Sequence, residues 1–321
     1  MATLNWPMVK RRRGGRARRE MLWFYSFILP WLLGFIGLSV IPLAAGFLIS
    51  LSNYNGYNLN TVRLVGLQNY VRAFSDPNTS YALGRTVVFT TISVPLNLTA
   101  SFCIAVMLNQ RVYGRGIFRT LFYIPSIIPA VAVGWIWKLM MDANTGLVNG
   151  VINVVFPDTV VRWLTDYPTL VLIMLSLWVS IGGTMIVFLA GLQNVPRELE
   201  GAALIDGATA PQMFRLITIP LVTPVIFFQL ILSLIGSLQV LVEPILLAGQ
   251  PRGEGLSATP PRANYLYMVH TFDQIFANQR YGYGTALLWL LFVLILSLTL
   301  IVFRTSRYWV YYEVAQEGDA R

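Results

Sequence analysis

The fifth long apolar stretch of the sequence carries the polar residues best suited to binding a small molecule. Gln229, Ser233 and Ser237 stand four residues apart, so a helix places them on one face as a polar stripe. Glu243 is the most conspicuous acid of the same stretch, and an ionised carboxylate facing lipid would cost several kcal/mol. We therefore expect these four side chains to face protein or water and to line a path for a polar solute. The alternative is that the stripe only joins helices by hydrogen bonds within a bundle.

Three residues of two other apolar stretches complete this candidate path. Asn97 lies in the second stretch, and Trp178 and Ser180 lie in the fourth. Amide and hydroxyl groups add hydrogen bonds for a solute, and an indole ring adds a stacking surface. For Asn97, hydrogen bonding between helices is again the alternative.

Catalytic and cofactor chemistry finds little support in the sequence. Cys103 is the only cysteine and His270 the only histidine, so no cluster of ligands for zinc or another transition metal is available. A phosphate-binding loop needs a lysine directly after a glycine, but the only two lysines, Lys10 and Lys138, follow valine and tryptophan. We therefore expect no catalytic residue, no metal site and no cofactor bound by this chain. A membrane-embedded enzyme or an independent channel is the alternative from another functional class.

The composition assigns the chain to a lipid bilayer. Hydrophobic residues make up 56% of the 321 positions and charged residues only 12%, which is too few to cover a soluble globule. Much of the net charge of +9 lies in an N-terminal tail, residues 1–20. A basic run directly before an apolar stretch is typical of a cytoplasmic anchor, so we expect membrane lipid and no nucleic acid as its partner. The basic residues of this tail are Lys10, Arg11, Arg12, Arg13, Arg16, Arg18 and Arg19.

Six apolar stretches are each long enough to cross the hydrocarbon core, which needs about 20 residues of helix. We therefore predict an all-α polytopic membrane protein, in which residues 21–305 form one domain of six transmembrane helices. Residues 306–321 then form a C-terminal tail. Stretches longer than the minimum predict tilt, an extension into water, or a break at a proline. The six stretches are residues 22–51, 86–109, 120–141, 169–192, 219–248 and 284–303.

The distribution of cations predicts the orientation in the membrane. If the basic tail is cytoplasmic, the loop that carries Arg111, Arg115 and Arg119 is cytoplasmic too, and so are the arginines after the sixth stretch. Both termini and the loop of residues 196–220 then face the cytoplasm. The segments expected outside are residues 52–85, 142–168 and 249–283.

The cytoplasmic loop, residues 196–220, has a local pattern of its own. Helix formers run to Ile205, and Gly207 can supply the left-handed conformation that ends a helix. Thr209 can then cap a second helix, whose first turn tolerates Pro211. The pattern predicts two short helices that meet at a glycine turn and need a partner to rest on, because helices this short are marginal alone. The alternative is an ordinary connection whose apolar side packs on its own bundle.

This loop resembles the signature of permease subunits of ATP-binding-cassette (ABC) importers. The signature has a glutamate-alanine-alanine start, a glycine six residues later and an isoleucine-x-leucine-proline end. Gly201 stands where the signature has its glutamate, and Ile219 replaces the usual leucine. Glu200 is adjacent, but one residue rotates a helical side chain by about 100 degrees. The residues that this resemblance implies as ATPase-coupling residues are Glu200, Ala202, Ala203, Asp206, Gly207, Ala208, Phe214, Ile217 and Pro220.

Further segments resemble the carbohydrate-uptake branch of these permeases, the maltose and glycerol-phosphate-like group. Taken in order, they extend the resemblance over about residues 20 to 305. One of them, the valine-glycine-leucine segment, resembles the first of two non-identical permeases, which implies a heterodimer. The segments are residues 65–70, 118–125, 238–243 and 281–286.

The resemblance implies both the machine and its place. It implies a second homologous permease subunit, two ABC ATPase subunits that hold ATP and magnesium, and an extracytoplasmic substrate-binding protein. The expected function is to carry a sugar or oligosaccharide across the cytoplasmic (inner) membrane of a bacterium or archaeon, driven by ATP hydrolysis in the ATPase subunits. The alternative cargo is a glycerol phosphate or other polyol phosphate. An anionic cargo would benefit from a cationic path, whereas the apolar stretches hold only Lys138 near an outer end and the acid Glu243.

Four tyrosines are candidate contacts for the binding protein, because they lie in the first outer segment. Tyrosines at a membrane surface are also common simply as anchors, which is the alternative. The four are Tyr54, Tyr57, Tyr70 and Tyr81.

Overall fold

The computed structural model describes residues 14–58, 60, 62–110, 113–248 and 260–311, and this part of the chain is built from helices. Within it, the only pairing of extended backbone is an isolated bridge between Ser52 and Leu64. The predicted all-α fold is therefore confirmed. Much of the basic tail lies outside the described residues, as do Arg111 and residues 312–321.

The elements in chain order are α1 (Gly14–Phe35), a π-helical turn (Ile36–Val40), α2 (Ile41–Ser50), α3 (Gln68–Ser75), α4 (Pro77–Asn109), α5 (Arg115–Ile127), α6 (Ala130–Met140), α7 (Leu147–Val155), α8 (Trp163–Asp166), α9 (Pro168–Gln193), α10 (Arg197–Ile205), α11 (Ala210–Met213), a second π-helical turn (Phe214–Thr218), α12 (Ile219–Leu238), α13 (Val242–Leu247), a 3₁₀ turn (Arg262–Asn264), α14 (Tyr267–Phe272), a third π-helical turn (Asp273–Ala277) and α15 (Tyr281–Ser306).

Six membrane crossings are present if a bent pair of helices counts as one crossing. Five helices of the described chain are each long and apolar enough to span a bilayer. The third predicted span is not one straight helix, because α5 and α6 meet at an angle of 101°. Pro129 explains the break, since a residue before proline is driven out of the helical region, and Ile128 has an extended ψ of 134°. The five straight spans are Arg18–Ser50, Pro77–Asn109, Pro168–Gln193, Ala210–Leu238 and Tyr281–Ser306.

The predicted C-terminal end of the fifth span, residues 219–248, is also wrong, because the long helix ends earlier. The long helix stops at Leu238, and a separate short helix, α13, follows after a gap of residues 239–241. Pro244 accounts for this, because its ring would clash with the carbonyl of residue 240 if one helix ran through both positions. Glu243 consequently lies in α13 rather than in the long helix.

The centre of the bundle is formed by α4, α9 and α12, with α5 packed against α9. One apolar cluster joins the three central helices, and its buried members include Ala105, Phe188 and Val222. Gly182 of α9 lies directly against α5, because a Cβ at this position would overlap the carbonyl of Phe122. The close approach therefore depends on glycine.

The first span is the exception to this packing. None of the most apolar 18-residue window of Arg18–Ser50 is buried inside the chain, whereas α2 at its far end packs against α15. Large side chains such as Trp23, Phe27 and Trp31 are exposed. The surroundings of this helix in a membrane are therefore lipid or another protein chain.

Candidate cargo cavity and ATPase-facing loop

A cavity of about 300 Å³ lies between α4, α9, α12 and α13, and it brings together most of the predicted path. Asn97 comes from α4, Ser180 from α9, and Gln229 from α12. Glu243 reaches the cavity from α13, which the break after Leu238 makes possible. Its polar lining consists of Ser93, Asn97, Ser176, Ser180, Thr184, Gln229, Ser233, Ser237 and Glu243.

Trp178 is the predicted path residue that does not line this cavity. Its neighbours Leu177 and Val179 do line it, but the Trp178 ring lies 6.0 Å from the ring of Trp137 in α6. Successive side chains on a helix point about 100 degrees apart, so a shared sequence neighbourhood does not give a shared face. Trp178 therefore lies against α6, and its role as a stacking surface for cargo stays a prediction.

Hydrogen bonds within the bundle occupy Asn97. Its Oδ1 accepts bonds from the hydroxyls of Ser180 at 3.0 Å and Ser101 at 3.3 Å. Its Nδ2 donates to Thr184 Oγ1 at 3.4 Å. Asn97 thus joins α4 to α9, in keeping with the alternative stated for it.

Two buried serine hydroxyls, which the sequence analysis does not name, have no hydrogen-bond partner in the described chain. The Oγ atoms of Ser93 and Ser176 are buried at the cavity and form no hydrogen bond within the described chain. Buried hydroxyls normally find a partner, so these two are available to a solute or to water. The sequence does carry a signal for them, because Ser93 lies four residues before Asn97 and Ser176 four residues before Ser180, a spacing that places each pair on one helical face.

The lining of the cavity is neutral apart from one acid. Among the described residues that line it, Glu243 is the only charged one, and none is a lysine or arginine. Apolar side chains such as Phe89, Leu177 and Leu232 form much of the remaining wall. An apolar wall with a few hydroxyls and amides suits an uncharged solute with both apolar faces and hydroxyl groups.

The 196–220 loop contains the predicted glycine turn. Gly207 has a φ of +81°, in the left-handed region. The N–H of Ala208 donates to the carbonyl of Ala203 at 2.9 Å, and that of Gly207 donates to the carbonyl of Leu204 at 3.1 Å. These are the two bonds of a Schellman motif, so the end of α10 is satisfied as the sequence predicts.

The second predicted short helix is not separate from the bundle. Thr209 begins it as predicted, since its backbone N–H donates to Gln212 Oε1 at 2.8 Å, and Pro211 lies in the first turn. The helix then continues through the π-helical turn Phe214–Thr218 and past Pro220, giving one helix over Ala210–Leu238. Pro220 therefore does not stop the helix. The widened turn immediately before it lets the chain pass.

Five of the predicted coupling residues line one hollow of about 360 Å³ beneath α10. Glu200 is on another side of α10, in a larger hollow of about 1030 Å³ with Arg115 and Arg197. Phe214 lies 6.2 Å from the ring of Phe102 in α4. The residues of the smaller hollow are Leu199, Ala202, Ala203, Asp206, Leu216, Ile217, Pro220, Leu221 and Tyr311.

The position of Glu200 bears on the missing signature acid. A Cβ at Gly201 would meet open space, so nothing in the described chain prevents a side chain there. Glu200 projects away from the hollow that Ala202 and Ala203 share, as the rotation of one residue requires. Tyr311, which does line that hollow, gave no signal in the sequence, because it is distant from the loop along the chain.

His270 is buried at the end of the bundle opposite the 196–220 loop. Its Nε2 lies 3.0 Å from Thr79 Oγ1 and 3.9 Å from Asp76 Oδ2, while its Nδ1 lies 3.1 Å from the hydroxyl of Tyr265. Burial lowers the pKa of His270, and the carboxylate of Asp76 opposes that shift. The ring is therefore a bonded part of the packing, with an ordinary structural explanation.

The four tyrosines predicted as outer contacts differ in exposure. Tyr57 is 74% exposed, and its hydroxyl accepts a bond from Gln279 Nε2 at 2.8 Å. The hydroxyl of Tyr70 instead lies 2.7 Å from Ser50 Oγ. Tyr54 lies against the ring of Tyr281 at 5.8 Å, and the Tyr81 hydroxyl donates to the carbonyl of Arg262. A contact role for these tyrosines stays a prediction.

Comparison with known proteins identifies the family. The family described as "Binding-protein-dependent transport system inner membrane component" matches residues 97–312, which begin within α4 and extend past the end of α15. The chain belongs to this family. The resemblance seen in the 196–220 loop is thereby confirmed, and the chain is a multi-pass protein of the inner membrane.

Two relatives match over nearly the whole chain. The probable ABC transporter permease protein YesP of Bacillus subtilis is 36% identical over 305 residues, covering 94% of this chain and 95% of YesP. The trehalose/maltose transport system permease protein MalF of Thermococcus litoralis is 32% identical over 293 residues, covering 90% of this chain and 95% of MalF.

The fold is shared with a solved transporter. A chain of the bacterial alginate ABC transporter, crystallised with an alginate pentasaccharide-bound periplasmic protein, superimposes with a TM-score of 0.77. The two are 24% identical, and the match covers 92% of this chain and 98% of the other. At that identity the likeness concerns the fold.

Proposed function

We propose that this chain is the permease subunit of an ABC importer that carries an uncharged sugar or oligosaccharide across the cytoplasmic membrane. The observation that carries the cargo class is the cavity between α4, α9, α12 and α13, whose polar lining is amides, hydroxyls and the single carboxylate of Glu243. Sugars offer many hydroxyls and apolar ring faces, and such a lining can bind both. A relative named as a trehalose/maltose permease supports the same class.

The absence of a cation from the described lining argues against a phosphate-bearing cargo. A polyol phosphate in this cavity would lie near the Glu243 carboxylate, and like charges repel. No lysine or arginine of the described lining compensates that repulsion. The neutral cargo is therefore the proposal.

The partners follow from the same assignment. A second homologous permease completes the bundle, two ATPase subunits bind ATP and magnesium, and an extracytoplasmic binding protein delivers the cargo. The exposed apolar surface of α1 is available to the second permease or to lipid. The chain itself is a non-catalytic subunit, with both termini in the cytoplasm.

The 196–220 loop is proposed to receive the movement of the ATPase. Its turn is fixed by the Schellman motif at Gly207, and its second half is continuous with α12. Because α12 also carries Gln229, Ser233 and Ser237, one helix connects the loop to the cavity. Displacement of the loop therefore reaches the cargo residues along this helix, through the stretch that contains Pro220 and Pro224.

The test is ATP-dependent uptake by the assembled transporter in proteoliposomes, using two radiolabelled cargos in parallel. Maltose represents neutral sugars, and glycerol 3-phosphate represents polyol phosphates. Each is supplied with the binding protein that purifies with the complex, and the ligand retained by that binding protein is identified by mass spectrometry. A retained neutral sugar that is taken up supports the proposal. Retention and uptake of a phosphorylated polyol would contradict it.

A matched pair of variants ties the cargo to the cavity. Gln229→Ala alters the cavity, whereas Ser297→Ala removes a hydroxyl of α15 that bonds only to the carbonyl of Val293. Reduced uptake in the first variant alone assigns Gln229 to the path. Equal uptake in both would leave Gln229 as a packing residue.

A further inference from the structure

The chain makes one further turn after α15, and the segment that follows lies at the base of α12. We call residues 307–311 the C-terminal hook. The carbonyl of Ser306 holds its turn by accepting bonds from the N–H groups of Trp309 at 3.1 Å and Val310 at 2.8 Å. The hook therefore has a defined course, which continues α15 by one hydrogen-bonded turn.

Aromatic packing holds the hook against α12. The ring of Trp309 lies 5.9 Å from that of Phe227 in α12, and Phe227 lies 5.0 Å from Phe303 in α15. Both pairs have the edge-to-face arrangement that aromatic rings prefer. Val310 of the hook is also buried. The hook thus packs on α12 and at the same time is the continuation of α15.

A relay of hydrogen bonds joins the hook to a weak point of α12. Pro224 has no N–H, so the helical bond that this position would donate to the carbonyl of Pro220 is missing. The Thr223 hydroxyl donates to that carbonyl at 2.6 Å. The backbone N–H of Tyr311 then donates to the same hydroxyl at 2.9 Å. The hook thereby completes the bonding of a turn that two prolines weaken.

The stretch held by the hook also connects the 196–220 loop to the bundle. The π-helical turn Phe214–Thr218 and the two prolines interrupt regular helical bonding here, and such interruptions are where helices bend. Tyr311 lines the hollow beneath α10 together with Ala202 and Asp206. A force applied to the loop must therefore pass through a bendable stretch that the hook contacts.

We propose that the hook is a positioning strut, which stiffens the base of α12 so that α10 and α15 move as one body when the loop is displaced. Thr223 and Tyr311 are its positioning residues, since they act through α12 and line no part of the cavity. The proposal rests on the proposed coupling role of the 196–220 loop. Without the strut, movement of the loop bends α12 at its prolines and leaves the cavity residues in place.

The test measures a distance in the transporter assembled with its second permease and ATPase subunits. Spin labels are placed at Ile205 in α10 and Leu300 in α15, which are exposed, after the single native cysteine is removed by Cys103→Ser. Thr223→Val removes the relay hydroxyl at nearly constant shape, and Thr223→Ser restores it. Thr305→Val is the matched control, because its hydroxyl bonds to the carbonyl of Val302 within α15.

The probe is ATP with vanadate, which traps the ATPase subunits in their closed state. We expect the distance between the labels to stay unchanged on trapping with the native sequence, with Thr223→Ser and with Thr305→Val. In Thr223→Val we expect a shift of about 2 Å or more and a broader distribution. ATP hydrolysis continues in that variant, while uptake per ATP hydrolysed falls about fivefold, as for the loss of a buried hydrogen bond.

Several results would overturn the strut. In the first, the distance between the labels stays unchanged on trapping in Thr223→Val. In the second, this distance already shifts on trapping with the native sequence. In the third, the Thr223→Val transporter fails to assemble. The last result would give Thr223 a structural role alone. Gly207→Val separates this proposal from the role of the loop. If Gly207→Val uncouples and Thr223→Val behaves as native, the loop role stands and the strut fails, whereas native behaviour of both refutes the loop role.

Discussion

Replacing Gly207 by valine should uncouple ATP hydrolysis from transport while leaving membrane insertion intact. The φ of +81° lies where an L-residue brings its Cβ too close to the following carbonyl, at a cost of about 1 to 2 kcal/mol. A Cβ at this position would meet no atom within 4 Å beyond its chain neighbours, so we expect the backbone penalty to dominate. A penalty of this size shifts the equilibrium between the native turn and other turns by about 5- to 30-fold.

The assay compares three substitutions in the assembled transporter reconstituted in proteoliposomes. Gly207→Asn should have a smaller effect than Gly207→Val, because asparagine tolerates the left-handed region. Gly201→Val is the control, since this glycine lies within α10 and its Cβ would meet open space. Uptake and ATP hydrolysis are measured on the same vesicles, and assembly is checked by size exclusion. If Gly207→Val retains the native ratio of uptake to hydrolysis, the reasoning about the turn is wrong.

Three further predictions concern the cavity, the buried histidine and the helix contact at Gly182. Glu243→Ala should alter cargo-dependent uptake in proteoliposomes while subunit assembly, measured by co-purification, survives. Lowering the pH from about 7.5 to about 5.5 should destabilise the end of the bundle around His270, measured by hydrogen exchange, because the unfolded state takes up the proton first. The stability that neutral, buried His270 contributes is present above the pKa of histidine in the unfolded chain, about 6.5, and is lost as the pH falls below that value. Gly182→Val should lower the melting temperature of the complex, at a cost of about 1 to 3 kcal/mol, because its side chain overlaps the carbonyl of Phe122.

Each of these predictions has its own control. Native uptake in Glu243→Ala would remove this carboxylate from the path. The pH dependence should flatten in His270→Gln, and an equal slope in that variant would assign the effect to another group. Gly183→Val is the partner of Gly182→Val, because a Cβ at Gly183 meets open space, and equal melting temperatures would contradict the packing argument.

Local signals in the sequence were enough to predict the spans and the glycine turn, because lipid imposes long apolar helices and a left-handed residue imposes glycine. Prolines were the main source of error. Pro95 and Pro224 lie inside continuous helices, whereas Pro129 and Pro244 stand at breaks. A proline leaves the carbonyl four residues before it without its helical hydrogen bond. The helix continues where another group donates to that carbonyl, as the Thr223 hydroxyl does to the carbonyl of Pro220. Such partners are set by packing and cannot be read from the local sequence.

In the cavity too, the sequence predicts which residues of one helix share a face, but not which residues from different helices meet. The spacing of Gln229, Ser233 and Ser237 correctly predicted a shared lining, because they belong to one helix. Trp178 lies outside that lining, with its ring 6.0 Å from that of Trp137, a residue distant along the chain. Tyr311 could not be found from the sequence, because its link to the 196–220 loop exists only once α15 packs beside α12.

The central claim is that this chain works as one subunit of an ATP-driven importer. Purification of the tagged chain from its native membrane without cross-linking, followed by assay of ATP-dependent uptake in proteoliposomes, tests it most directly. We predict an intact complex with a second permease and ATPase subunits, which takes up the sugar retained by its binding protein only when ATP is hydrolysed. A lone chain that transports or catalyses without those partners would contradict the account.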